Sequence, residues 1–280
     1  MVKCVGVIGG GLMGGGIAQV FAAAGGRVAV VESDADAASA AHSRIRAGLH
    51  KAVELGKLAD AEEALSRISL LTRIADLPGD ADLVVEAVPE LPEVKIQVLT
   101  AAEAVVSDDT ILASNTSSLS IVELGAALRR PERFLGMHFF NPVPASKLVE
   151  VVTAPQTAQP VLHSVVEAIR ALGKAEIVVR DSPGFATSRL GVMLGLEAIR
   201  MLEEGVADAE SIDRAMELGY RHPMGPLRST DLVGLDVRLA IAEYLHSTLG
   251  DRFAPPQLLR DKVAEGSLGR KTGRGFYDWP

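Results

Sequence analysis

The chain has almost no cysteine: Cys4 is the only one in 280 residues. A lone thiol forms no intrachain disulfide, so a disulfide-stapled secreted scaffold is excluded. Cys4 stands in an apolar run and reads as a buried strand residue. Long hydrophobic runs are also missing. No stretch approaches the roughly 18–20 apolar residues that span a bilayer. The apolar N-terminal run is cut by glycines and precedes no small-residue cleavage site, so it reads as strand and turn, and a cytoplasmic location is expected. There is no excess of positive charge. Lys and Arg number 28 against 36 Asp and Glu, a formal net charge of −8. That is the opposite of the basic face a nucleic acid requires, although a local cluster of cations can still bind a small anionic ligand. His42, His50, His163, His222 and His246 show no metal-ligand spacing with Cys or acids, and no metal is expected. No G-x-S-x-G elbow and no Walker A lysine occur.

What is present is ordinary globular material, 48% hydrophobic and 23% charged, with room for one large domain or two smaller ones. The first half alternates strand-like and helix-like segments. Val5–Ile8, Arg27–Val31, Leu83–Val88, Thr110–Ala113, Phe134–Phe139, Leu148–Val152 and Ile177–Val179 read as strands. Met13–Ala24, Asp34–Leu55 (capped by Ser33-Asp34) and Pro92–Val106 read as helices. Several strands are apolar throughout, which suits strands covered on both faces. The pattern predicts a parallel α/β sheet with right-handed crossovers. Near Asp181-Ser182-Pro183-Gly184 the character changes to helices alone: Phe185–Glu204, Asp208–Leu218 and Val237–Thr248, with Gly205, Gly219 and Gly250 at their ends. The expected organisation is an α/β, Rossmann-type dinucleotide-binding domain over 1–183 and an all-α domain over 184–280.

Gly9-Gly10-Gly11-Leu12-Met13-Gly14 fits G-x-G-x-x-G. It follows a strand and opens a helix, the context the motif requires. Gly9 permits the tight turn, Gly11 lets the backbone approach a pyrophosphate, and Gly14 allows close helix–strand packing. The backbone around Leu12 and Met13 then presents a helix N-terminus to the phosphates. Glu32 ends the second strand, about 20 residues on, where an acid can accept from ribose hydroxyls and repel a 2′-phosphate. Ser33 and Asp34 after it are not basic. The cofactor expected is NAD.

Five further patches stand out. Ser114-Asn115-Thr116-Ser117-Ser118 follows an apolar strand, where polar residues face a ligand crevice or cap the next helix. His138 lies in Met137-His138-Phe139-Phe140-Asn141-Pro142. A lone histidine between apolar neighbours is more often a satisfied core residue. Lys147-Leu148-Val149-Glu150-Val151 brings a carboxylate twelve residues later. If the two runs are neighbours, Glu150 can accept from one imidazole nitrogen, so that the other serves as a base. That suits hydride transfer, in which a hydroxyl proton must leave as the hydride departs. Spacing alone leaves both readings open. Asp181–Arg189 reads as a linker entering a helix. Pro223–Leu227, with Asp231–Asp236 after it, is accounted for by turns between helices.

Taken together these patches resemble the short-chain L-3-hydroxyacyl-CoA dehydrogenase family, including bacterial 3-hydroxybutyryl-CoA dehydrogenases. The resemblance runs from Gly9–Gly14 through His138–Pro144 and Pro183–Arg189 to Lys271-Thr272-Gly273-Arg274-Gly275-Phe276-Tyr277. It implies reversible, NAD-dependent oxidation of an (S)-3-hydroxyacyl-CoA, with His138 as base and Glu150 as its orienting partner. Ser117 corresponds to a serine touching cofactor and substrate, Asn141 to an asparagine near the nicotinamide. Glu90 and Lys95 match positions lining the cofactor cleft, and Lys271 matches a lysine associated with the NAD site. Asn115 belongs to the same cofactor set. An acyl-CoA substrate and a homodimer through the helical domain are implied. Where the family carries an active-site asparagine before Arg-Leu, this chain has Ser188, shorter and lacking the amide's second group; activity is expected to survive. The alternative is a related β-hydroxy acid dehydrogenase acting on a substrate without CoA.

Overall fold

The computed structural model describes residues 2–280, which form two compact units divided between Asp181 and Ser182. The first unit carries β1 (Cys4–Ile8), α1 (Leu12–Ala23), β2 (Arg27–Val31), α2 (Ala35–Glu54), α3 (Ala61–Leu65), β3 (Ile68–Leu71), β4 (Leu83–Glu86), α4 (Pro92–Glu103), β5 (Ile111–Ser114), α5 (Ile121–Gly125), β6 (Phe134–Phe139), β7 (Leu148–Thr153), α6 (Gln159–Ala171) and β8 (Ala175–Arg180). One eight-stranded sheet has the order β3-β2-β1-β4-β5-β6-β7-β8. Strands β1, β4, β5 and β6 are buried along their whole length, which is why they lack alternation.

The sheet is parallel from β3 to β6, but β7 runs antiparallel to β6, and β8 is parallel to β7. The expected parallel sheet thus carries one antiparallel step, which the sequence did not announce. Phe140–Lys147, the link between β6 and β7, is too short for a helical crossover, which takes a dozen or more residues. The chain leaves β1 toward β2 and β3, then returns to place β4 on the other side of β1. This reversal opens a crevice at the carboxyl ends of β1 and β4.

The second unit contains α7 (Thr187–Glu203), α8 (Ala209–Arg214), α9 (Pro226–Val233), α10 (Leu235–Leu249) and α11 (Gln257–Ala264). Its core is built from Val192, Leu196, Ile199, Leu227, Leu235 and Leu245 with their neighbours. Pro226–Val233 is a helix and not a turn: Pro226 stands in its first turn, where a missing N–H costs nothing. Among the described residues no helix is long and apolar enough to cross a membrane, and no cluster of His, Cys, Asp and Glu could hold a metal ion.

Candidate active site

A cavity of about 760 Å³ lies at the carboxyl ends of β1, β2 and β4. Gly9, Gly11, Leu12, Met13 and Glu32 line it, with Val31, Ile74, Val94 and Val98 as apolar walls. The glycines have distinct reasons to be there. Gly9 has φ +91°, and a Cβ would meet the Ala87 carbonyl. A Cβ on Gly14 would fall 1.7 Å from the Gly9 carbonyl oxygen. At Gly11 nothing lies within 4 Å of an added Cβ. Packing therefore demands Gly9 and Gly14, whereas Gly11 only keeps space open. No side chain caps the start of α1, and its first turn holds no acid. Its N–H groups and dipole suit a pyrophosphate, so the cleft fits a dinucleotide.

Glu32 is tied to this loop. Its Oε1 accepts from Gly10 N at 2.6 Å. Sequence reasoning missed Arg44 on α2, whose Nη1 donates to the Gly10 carbonyl at 2.7 Å. Nothing in the spacing of 34 residues indicates that contact.

Glu90, Lys95, Asn115, Ser117 and Asn141 do not line the cavity. Glu90, Lys95 and Ser117 belong to a polar network at the ends of β4 and β5. Lys95 is buried, and its Nζ lies 2.7 Å from Glu86 Oε1, 3.2 Å from Glu90 Oε2 and 3.2 Å from the Val88 carbonyl. Its ammonium is thus directed at carboxylates, not at the cleft. Glu86, which sequence reasoning left as an ordinary strand residue, is fully buried and also accepts from Ser114 Oγ at 2.5 Å. Glu90 accepts from Thr116 Oγ1 at 2.6 Å and Ser117 N at 2.9 Å. Burial pushes its carboxyl up, but the Lys95 ammonium and these bonds outweigh burial and hold it below the usual carboxylate range. Replacing Lys95 with methionine leaves Glu86 buried without its cation. The expected loss is about 3–5 kcal/mol of stability, read as a lower urea midpoint; an unchanged midpoint would show that the pair does not support the fold.

His138 on β6 and Glu150 on β7 are registered directly opposite each other. Residues so placed project from the same face of the sheet. Nδ1 of His138 lies 3.0 Å from Glu150 Oε2, and both residues are buried. A carboxylate only accepts, so Nδ1 is the donor of this bond and Nε2 is the ring nitrogen left outside it. The Phe140 ring stands 4.4 Å from the imidazole. Asn115 Oδ1 accepts from Phe139 N at 2.9 Å, tying β6 to the end of β5. The link beyond, with exposed Asn141 and a cis Asn141–Pro142 bond, is held from two sides. A Cβ on Gly16 of α1 would lie 2.8 Å from Val143. Lys174, also missed from sequence, donates to the carbonyls of Val143 (2.7 Å) and Ser146 (2.5 Å). Burial pushes its pKa down.

In the second unit, Ser188 sits in the first turn of α7. Lys271 Nζ pairs with Asp236, at 2.6 and 2.5 Å from its two oxygens. Asp231 is the surprise of this unit. It is buried and accepts from Phe276 N, Tyr277 N and Trp279 Nε1. A Cβ at Gly275 would collide with it at 2.1 Å. The Lys-Thr-Gly-Arg-Gly-Phe-Tyr run therefore wraps an acid that looked like part of a turn.

Comparison with known proteins agrees with this architecture. Residues 4–182 match the model for the 3-hydroxyacyl-CoA dehydrogenase NAD binding domain, and residues 184–279 match that for the 3-hydroxyacyl-CoA dehydrogenase C-terminal domain. A probable 3-hydroxybutyryl-CoA dehydrogenase of Deinococcus radiodurans is 46% identical over 276 residues, 98% of this chain and 99% of that one. The crystal structure of FadB2 from M. tuberculosis superposes with a TM-score of 0.96 at 42% identity, covering 100% of this chain and 99% of the other. That of (S)-3-hydroxybutyryl-CoA dehydrogenase from Ralstonia eutropha gives 0.94 at 41% identity over the whole of both chains. The chain belongs to the 3-hydroxyacyl-CoA dehydrogenase family and is an NAD-dependent oxidoreductase.

Proposed function

We propose that the chain oxidises (S)-3-hydroxyacyl-CoA thioesters reversibly to 3-ketoacyl-CoA, with His138 as the base. The observation that carries this reading is the buried His138–Glu150 pair, 3.0 Å apart, on the same edge of the sheet as the dinucleotide cleft. NAD, when bound, supplies the hydride acceptor. The substrate hydroxyl proton passes to Nε2 of His138, which becomes an imidazolium. Glu150 stabilises that cation and keeps the ring in one orientation. In reverse, Nε2–H returns its proton to the forming alkoxide.

The glycine loop of Gly9, Gly11 and Gly14, with Leu12 and Met13, holds the pyrophosphate; Glu32 takes the adenosine ribose. Glu90, supported by Lys95, orients Ser117 beside the reacting carbon. Asn115 and Asn141 serve the nicotinamide end, and Lys271 the same cofactor. Ser188 contacts the substrate where the family carries asparagine. A cytoplasmic homodimer joined through the helical unit completes the reading.

The test is a side-by-side rate assay. Acetoacetyl-CoA with NADH should exceed free acetoacetate by at least about a hundredfold in kcat/KM, because binding energy from the remote CoA is realised at the reacting centre. NADPH should be a poor donor. Equal rates on the thioester and the free acid would replace this reading with that of a β-hydroxy acid dehydrogenase without CoA.

A further inference from the structure

Two lysines are buried among the described residues, and they are satisfied differently. Lys95 is answered by the carboxylates of Glu86 and Glu90. Lys174, in the turn between α6 and β8, has carbonyls instead: its ammonium donates to Val143 O at 2.7 Å and Ser146 O at 2.5 Å, and no nearby charge offsets its burial. A buried cation without a counter-charge is costly, so what it holds matters. Both carbonyls belong to the Phe140–Lys147 link. The next residue, Ala175, donates its N–H to a third carbonyl of that link, Lys147 O, at 2.6 Å. On its other side the link meets α1. A Cβ on Gly16 would lie 2.8 Å from Val143 and 3.7 Å from Pro144. The link is therefore pinned between Lys174 and α1.

This pinning joins the two halves of the site. Strands β4 and β5 separate β1 from β6 in the sheet, three steps of about 4.8 Å, or roughly 14 Å. The strand that carries His138 thus has no ladder contact with the strand that leads into the glycine loop. Across the top of the sheet, Val143 against Gly16 makes the shorter connection. Gly16 is four residues beyond Leu12, where α1 begins, about 6 Å along the axis. At the other end, Phe140 opens the link with its ring 4.4 Å from the imidazole. A shift of the link would move the base relative to the helix that receives the dinucleotide.

We propose that Lys174 is a positioning residue, which fixes how far the link stands from α1 and so sets the gap between His138 and the bound dinucleotide. This rests on the reading of His138 as base. Lys174→Met keeps the length of the side chain without its charge, and Lys174→Arg keeps charge and donors. In Lys174→Met the single-turnover rate of NADH oxidation by acetoacetyl-CoA should fall at least about tenfold, since misplacement by about 1 Å costs up to 10²-fold. KM for acetoacetyl-CoA and the NADH dissociation constant should stay within about twofold. Lys174→Arg should recover at least about a third of the rate. In the free protein, isotope-labelled in its histidines, the His138 imidazole resonances (assigned by their loss in His138→Gln) should shift in Lys174→Met and return in Lys174→Arg. Gly16→Ala pushes the link from the opposite side and should give the same pattern. Its loss should combine with that of Lys174→Met less than additively in free energy, as expected of residues coupled through one segment. If Lys174→Met does not fold, Gly16→Ala and Lys174→Arg carry the test.

A wild-type rate in folded Lys174→Met overturns the proposal. So does a fall in rate matched by an equal loss of NADH affinity with the imidazole resonances unmoved, which makes Lys174 a support of the cofactor cleft alone. A wild-type rate in Gly16→Ala, or Lys174→Arg as slow as Lys174→Met, overturns it as well. If His138→Gln turns over normally, the base reading falls and this proposal with it; if His138→Gln is slow and Lys174→Met is not, only the present proposal falls.

Discussion

Replacing His138 with glutamine is expected to lower kcat by about 10²–10⁴-fold, the usual contribution of a positioned general base. Glutamine still bonds to Glu150 but cannot take up a proton. NADH affinity, measured by fluorescence titration, should stay within about twofold of wild type, because the imidazole holds the proton and not the dinucleotide. Glu150→Gln should show a comparable loss for a different reason. Its amide can donate to Nδ1, which moves the ring proton to Nε2 and leaves the imidazole in the wrong tautomer. The 3.0 Å cross-strand bond is what makes the two variants alike. Near wild-type turnover in His138→Gln would remove this histidine from the mechanism.

The second large effect separates two glycines that a motif treats alike. Gly14→Ala places a methyl 1.7 Å from a backbone oxygen. Neither α1 nor the Gly9 turn can yield without breaking the start of the sheet. A loss of about 4 kcal/mol or more is expected, at the extreme of single substitutions, seen as aggregation or a collapsed urea midpoint. Gly11→Ala meets nothing within 4 Å, and its φ of −60° is open to alanine. The midpoint should hardly move, by less than about 0.5 kcal/mol. The NADH dissociation constant should rise at least about tenfold, or ~1.4 kcal/mol, because the methyl occupies the approach to the pyrophosphate. Unaltered NADH binding in Gly11→Ala would place the phosphates elsewhere.

Much of this was legible before any coordinates. Strand β1, the glycine loop, α1, β2 and Glu32 follow one another in an order that only one local architecture explains. Asp34 caps α2 by accepting from Ala37 N, as its position indicates. What escaped did so for physical reasons. Apolar runs carry no mark of direction, so the reversal at β7 was visible only in the shortness of the link before it. Strand β3 is only four residues long and largely half buried, so its short apolar run did not stand out. Helix α9 was hidden because Pro223, Gly225 and Pro226 punctuate its start. The functions of Asp231, Lys174 and Arg44 depend on partners 28 to 48 residues away, and local spacing cannot report such contacts. The sequence does not show that the Lys95 ammonium turns inward, because its partner Glu86 looks like any other strand residue.

The antiparallel step between β6 and β7 carries one further consequence. Side chains along a strand alternate between faces, so a slip of one residue would put His138 opposite a valine and send Glu150 to the other side of the sheet. The proton-handling pair is therefore specified by parity. Apart from Asn141 and Val143, the composition of the Phe140–Lys147 link matters less than its length, since the number of residues it contributes to the ladder keeps the two strands in phase. Lys174 and Gly16, which grip that link from opposite sides, act as guardians of that count.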